Sequence, residues 1–286
     1  SMVVVGGITR LTGSGLSITK WDVVTGALPP MNQSEWETEF GHYMMTPQFE
    51  QINSHFTLED FKGIYWWEYI HRLIGRLIGF VFIIPFLYFL FRFKLNGTLI
   101  QKCLLLFGLG GLQGFLGWFM VKSGLVDMPS VSHFRLALHL CTAFITFSVT
   151  LWFALDQINT QKIEPKGLHK KLIYRTRIVM LLVFLQIIFG AFVAGLKAGR
   201  IYNTWPLMGE SLIPGALPFT LGKDGVSALV NDMAWVQFIH RYIAYFVVAA
   251  VVWLFMYARK IKNEGSVLLP GQITAFYLVL AVVALQ

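Results

Sequence analysis

Charge is what this sequence has least of. Only 13% of its 286 residues are Asp, Glu, Lys or Arg, about half the roughly 25% found in soluble globular domains. Cysteine is nearly absent as well. Cys103 and Cys141 both lie inside apolar runs, which makes neither a disulfide framework nor a cysteine zinc site. No cleavable signal peptide or Arg-rich transit segment is visible. A formal net charge of +8 would suit nucleic acid, but the basic residues sit in short clusters between apolar runs. That pattern excludes a nucleic-acid surface and belongs to membrane proteins.

What is present is apolar: 56% of the residues are hydrophobic and the mean hydropathy is +0.61. Six runs approach the roughly 20 residues needed to cross a bilayer. They are 64–91, 103–121, 136–155, 178–196, 235–258 and 267–286. A further apolar stretch at 2–8 reads as the tail of a seventh helix, and both ends of the sequence read as cut. Backbone polar groups in lipid must be satisfied within their own segment, so runs of this length are helices rather than barrel strands. Connections 92–102, 156–177 and 259–265 together hold 12 Lys/Arg against 3 acids. The alternate connections 9–63, 122–135 and 197–234 hold 8 against 11. The positive-inside rule then places the basic connections in the cytoplasm or matrix and the longer ones outside.

The long outer connection 9–63 carries local signals of its own. Ser34-Glu35-Trp36-Glu37 has the spacing of a capping box, and Thr57-Leu58-Glu59-Asp60 is a weaker version of it. Short interfacial helices are expected there, with Trp36, Trp66 and Trp67 at headgroup level. The plainer alternative is surface helices that merely cover the bundle.

The chain also repeats itself. A shift of 184 residues pairs Gly6 with Gly190, Gly15 with Gly199 and Trp21 with Trp205. A shift of 169 lays the stretch from Trp66 to Arg72 over that from Trp235 to Arg241, so a tryptophan precedes His-Arg at the outer mouth of a helix twice. The expected fold is an all-α polytopic membrane protein of two duplicated four-helix bundles. Residues 1–160 form the first half and 161–286 an incomplete second half; of eight helices in all, the first is partial and the eighth is missing.

His71, His139 and His240 fall within spans, all near the outer side. Ionisable groups inside a membrane are costly and are functional candidates. Neutral imidazole is a good axial ligand for haem iron, and histidines from facing helices can clamp a porphyrin in a bundle; a single histidine can equally hydrogen-bond a neighbouring helix. Gly75, Ala143 and Ala244 lie four residues beyond the three histidines, on the same faces. They leave room for a flat macrocycle or for plain helix packing. Arg72, Arg76 and Arg241 suit haem propionates, with snorkelling toward headgroups as the alternative. Glu68 is the one acid in any span, three residues before His71 and four before Arg72, and the repeat has Gln237 in its place. That asymmetry points to one half that does chemistry and one that carries electrons, unless Glu68 only forms an ion pair with Arg72.

At these residues the chain resembles the haem A synthase family, which converts haem O to haem A for cytochrome c oxidase. The matching stretches are GGITRLTGSGLSITKW (6–21), EYIHRLIGRLIG (68–79), LQGFLGWFMVKSGL (112–125), HFRLALHL (133–140), GAFVAGLKAGRIYNTWPLMGE (190–210) and VQFIHR (236–241). The long first outer loop and the WWEYIHR wording are similar to the mitochondrial and proteobacterial branch. The cysteine pair that the short-loop branch carries in that loop is absent.

The resemblance implies that His71 and His139 flank haem O as substrate and that Glu68 is the acid at the reaction site. It implies that His240 ligates a haem b cofactor whose other ligand lies on the eighth helix. It further implies oxidation of a porphyrin methyl to a formyl with water as the oxygen source. The implied partners are haem O, haem O synthase, membrane lipid and an unnamed electron acceptor; a homo-oligomer is left open. The implied place is the bacterial inner or mitochondrial inner membrane, with the haem sites toward the outer side. Two rival readings share the sequence: a non-catalytic bis-histidine electron-transfer protein, which gives Glu68 no task, and a repeat-type transporter, which binds no porphyrin.

Overall fold

A computed structural model describes residues 2–20, 28–93, 95–124, 129–158, 168–264, 268 and 270–285. Ten α-helices follow one another: α1 Met2–Leu11, α2 Gln33–Met44, α3 Leu58–Arg92, α4 Gly97–Gly124, α5 His133–Ile158, α6 Leu168–Leu196, α7 Ala216–Asp224, α8 Ala228–Asn231, α9 Met233–Asn263 and α10 Pro270–Leu285. No extended strand occurs among the described residues. Five helices (α3, α4, α5, α6 and α9) are long and apolar enough to cross a membrane, while Met2–Leu11 and Gly271–Leu285 are shorter apolar helices. The chain is an all-helical polytopic membrane protein. Trp21, one member of the repeat, lies outside the described residues.

The helices overrun the apolar stretches because polar first turns are capped. At α3, the Thr57 amide donates to Asp60 Oδ2 at 2.9 Å and the Asp60 amide donates to Thr57 Oγ1 at 3.3 Å. This reciprocal box starts the long span itself, nearly two turns before Ile64, and not a separate interfacial helix. At α2 the expected Ser34 cap is displaced by two residues. Asn32 accepts from the Glu35 amide at 2.9 Å, and Glu35 accepts from the Met31 amide at 2.7 Å. Asparagine is as good a cap as serine, and in the Asn32 frame Glu35 reaches back to the Met31 amide and the Asn32 side chain, which leaves Ser34 inside the helix.

The first of two compact units spans Ser1–Leu155. Trp36 and Tyr43 lie seven residues apart on one face of α2, and both are buried against the start of α3. Trp36 meets Tyr65 edge-on at 4.9 Å and Tyr43 stacks on Phe61 at 5.2 Å. Trp36 is thus enclosed by protein, while Trp66 and Trp67 stay exposed. Farther along α3, Phe80, Val81 and Ile84 face outward, as lipid-solvated side chains do. Antiparallel α4 and α5 meet through cations laid on rings: Arg135 on Phe119 at 5.2 Å and Lys102 on Phe153 at 5.1 Å.

The second unit, Asp156–Gln286, is built on an α6–α9 pair. Val247, Val251, Leu254, Ala258 and Ile261 form a stripe at alternating four- and three-residue spacing on α9, the pattern that seams two helices. Leu172 and Val179 of α6 pack into it, and Phe276, Leu280 and Val283 of α10 lie against it. The Arg175 guanidinium covers Tyr257 at 3.8 Å and Trp253 at 4.1 Å, inside the range of a strong cation–π contact.

Candidate functional site

His71 sits on α3 where α1 crosses it. A methyl group added to Gly6 of α1 would come within 3.1 Å of His71 Nε2, so only glycine lets the imidazole lie this close to the neighbouring helix. One turn before His71, Glu68 is 3% exposed. Its Oε2 accepts from Ser17 Oγ at 2.7 Å and from the Ile18 amide at 2.8 Å. Its Oε1 accepts from Arg72 at 2.5 Å. The same guanidinium donates to the carbonyls of Ile18 at 2.8 Å and Lys20 at 2.9 Å. Glu68 and Arg72 thus grip the segment that leaves α1. The ion pair weighed above as the alternative for Glu68 is formed, and it is buried.

The second unit repeats the main lines of this arrangement, with a change at the carboxylate. A methyl on Gly190 of α6 would come within 3.1 Å of His240 Cε1 on α9. Arg241 donates to the carbonyls of Tyr202 at 3.2 Å and Thr204 at 2.8 Å. These two residues stand 184 positions after Ile18 and Lys20, the acceptors of Arg72. Arg241 adds the Leu207 carbonyl at 2.8 Å. Gln237, however, donates its amide to the Tyr202 carbonyl at 2.8 Å, where Glu68 accepts from the Ile18 amide. The carboxylate recruits an N–H and the amide recruits a C=O. One clamp carries a negative charge and the other does not.

His139 of α5 faces the amide of Gln113 on α4, which lies 3.2 Å from both ring nitrogens and donates to the His139 carbonyl at 3.2 Å. His240 is met by Gln186 of α6 at 3.3 Å from Nε2. Arg76 is half-buried one turn beyond Arg72. Ser17, Gln113 and Gln186 escaped sequence reasoning. The glutamines carried a visible signal, a lone amide inside an apolar span, whereas Ser17 in a polar loop carried none.

Whether this set suits a haem can be judged on the donors themselves. His240 Nδ1 is buried without a hydrogen-bond partner, as are Oε1 of Gln113 and of Gln186, although buried polar atoms are normally satisfied. Imidazoles in apolar spans, beside glycines and unsatisfied amide oxygens, fit a planar iron macrocycle with polar substituents. No cluster of three or more His, Cys, Asp or Glu able to hold a bare metal ion occurs among the described residues. The geometry therefore favours a prosthetic group or porphyrin over a free cation.

A family model described as COX15-CtaA, cytochrome oxidase assembly protein, matches residues 1–286. The chain belongs to this family. Among COX15-CtaA relatives, the heme A synthase of Flavobacterium psychrophilum is 52% identical over 271 residues, covering 91% of this chain and 76% of the relative. That of Flavobacterium johnsoniae is 50% identical, with 91% and 76% covered. That of Parvibaculum lavamentivorans is 47% identical, with 93% and 76% covered. No solved structure matches this COX15-CtaA chain.

Proposed function

We propose that the chain makes haem A, oxidising a methyl group of haem O to a formyl. Relatives named heme A synthase at 47–52% identity support this. The observation that carries it is the asymmetry of two related clamps, with Glu68 one turn from His71 and Gln237 one turn from His240. The reaction takes R–CH3 and water to R–CHO, releasing four protons and four electrons to an acceptor. Removing hydride or electrons from the methyl leaves positive charge on a carbon conjugated to the ring. A fixed carboxylate in a dry site stabilises such charge or orients the attacking water.

In this reading His71 and His139 flank the substrate haem O, and Glu68 provides the fixed negative charge. Arg72 binds Glu68 and two loop carbonyls, so it shapes the site mouth. Arg76 is then the direct partner for a propionate. In the second unit His240 would hold haem b through an imidazole nitrogen, and Arg241 would hold the adjoining loop. Haem b supplies one-electron transfer when bound. An apolar, lipid-tailed substrate reaches the first unit from the bilayer, which suits haem O synthase as the upstream partner. The basic connections would face the cytoplasm or matrix and the two clamps the opposite side.

Expression of the chain in a host that produces haem O, followed by pigment extraction, tests the proposal. Haem A is expected. Bound haem with no haem A would favour the non-catalytic electron carrier, and a pigment-free protein would favour a transporter.

A further inference from the structure

The clamps differ at a second position besides Glu68 and Gln237. Ser17 is 1% exposed and gives its hydroxyl to Glu68 Oε2 at 2.7 Å. The residue 184 positions on is Ile201, which is 42% exposed and has no hydroxyl to give. The arginines and two of their carbonyl acceptors are kept in both units, so the serine and the carboxylate are replaced together. A carboxylate offers about four acceptor sites, and a buried one left short of donors is costly. An amide in its place would turn an N–H toward the Ile18 N–H. The second unit avoids that by presenting the Tyr202 carbonyl instead.

We propose that Ser17 is a positioning residue for the reaction. Its hydroxyl, with the Ile18 amide, fixes one oxygen of Glu68 while Arg72 holds the other, so that the carboxylate keeps one orientation one turn from His71. This rests on reading the first unit as the reacting half. In this role Ser17 acts through Glu68, the carboxylate that its hydroxyl holds.

Four variants test it: Ser17→Ala, Ser17→Thr, Glu68→Gln and the Ser17→Ala/Glu68→Gln double. Haem content and haem A formed per bound haem are measured in the full chain, and infrared difference spectra against Glu68→Gln identify the Glu68 carboxylate band. Ser17→Ala is expected to keep its haem content and to lose about 10-fold in haem A per bound haem, the size of one hydrogen bond to a charged group. Its carboxylate band should shift. Threonine, which keeps the hydroxyl, should restore both. In the double variant the serine change should add nothing to Glu68→Gln, since a residue that acts through another has no separate effect once that partner is gone. An unshifted band in Ser17→Ala overturns the proposal, and so does a Ser17→Ala loss that adds in full to that of Glu68→Gln. If the unaltered protein forms no haem A, the reading of the first unit fails. The band shift then decides the Ser17–Glu68 contact on its own.

Discussion

At the scale of single residues, two kinds of site make opposite forecasts for the same measurement. Glu68→Gln keeps the shape and removes the charge. If the carboxylate stabilises charge at the reacting methyl, haem O should still bind while haem A formation falls about 100-fold or more. If it serves only Arg72, the change strips a buried cation of its counter-charge, a loss of about 3–5 kcal/mol. Protein yield and haem content would then drop while turnover per bound haem stays normal. Pigment analysis normalised to bound haem separates the two. The glycines make a second case. Gly190→Ala places a methyl 3.1 Å from the His240 ring, so the imidazole must shift, and haem retention should fall several-fold. Gly63→Ala on α3 meets nothing within 4 Å and gains up to about 1 kcal/mol of helix propensity. Its haem content should equal or exceed that of the unaltered protein, as read by absorbance per protein.

At the scale of helices, the first turn of α3 is an independent piece of physics. Removing the Thr57 hydroxyl by Thr57→Ala breaks the box and should cost about 1 kcal/mol, seen as a lower melting midpoint with unchanged haem A per bound haem. A fall in turnover would mean that the start of α3 is coupled to Glu68 nearly three turns on. The same element shows what could be read from sequence. The spans were legible because lipid demands long apolar helices: five of the six long runs lie on helices long enough to cross a membrane, and the sixth, 267–286, coincides in part with the shorter α10. Their ends were not, because polar capped turns at Thr57 and Asn32 extend or shift helices without any apolar signal. The histidines and Glu68 were legible as polar residues in apolar runs. Ser17 was not, because its role exists only when the segment after α1 folds back on α3.

At the scale of the whole molecule, the charge pattern predicts the sidedness. In a chain whose Cys103 and Cys141 are replaced by serine, Ser34→Cys should react with an impermeant maleimide from the outer side, and Asn263→Cys only after the membrane is opened. The reverse labelling would invert the assigned topology. The two units also differ in how they hold together. The second has a continuous seam along α6 and α9, whereas the first has an aromatic cluster between α2 and the first turns of α3. That cluster ends at Tyr69, next to Glu68 in the chain. Substitutions in the α2–α3 aromatic cluster, such as Tyr43→Ala, should therefore disturb the first unit's haem signal without altering the second's.

The opposite polarity of the two clamps has a consequence in time as well as in energy. The Ile18 amide proton lies against a carboxylate that three donors hold still, so it leaves only when that whole group opens. At Tyr202 the clamp seizes the carbonyl instead, and no carboxylate covers the amide. Hydrogen–deuterium exchange should therefore be slow at Ile18 and fast at Tyr202, two positions that the repeat makes equivalent. Ser17→Ala should quicken the first and leave the second as it was.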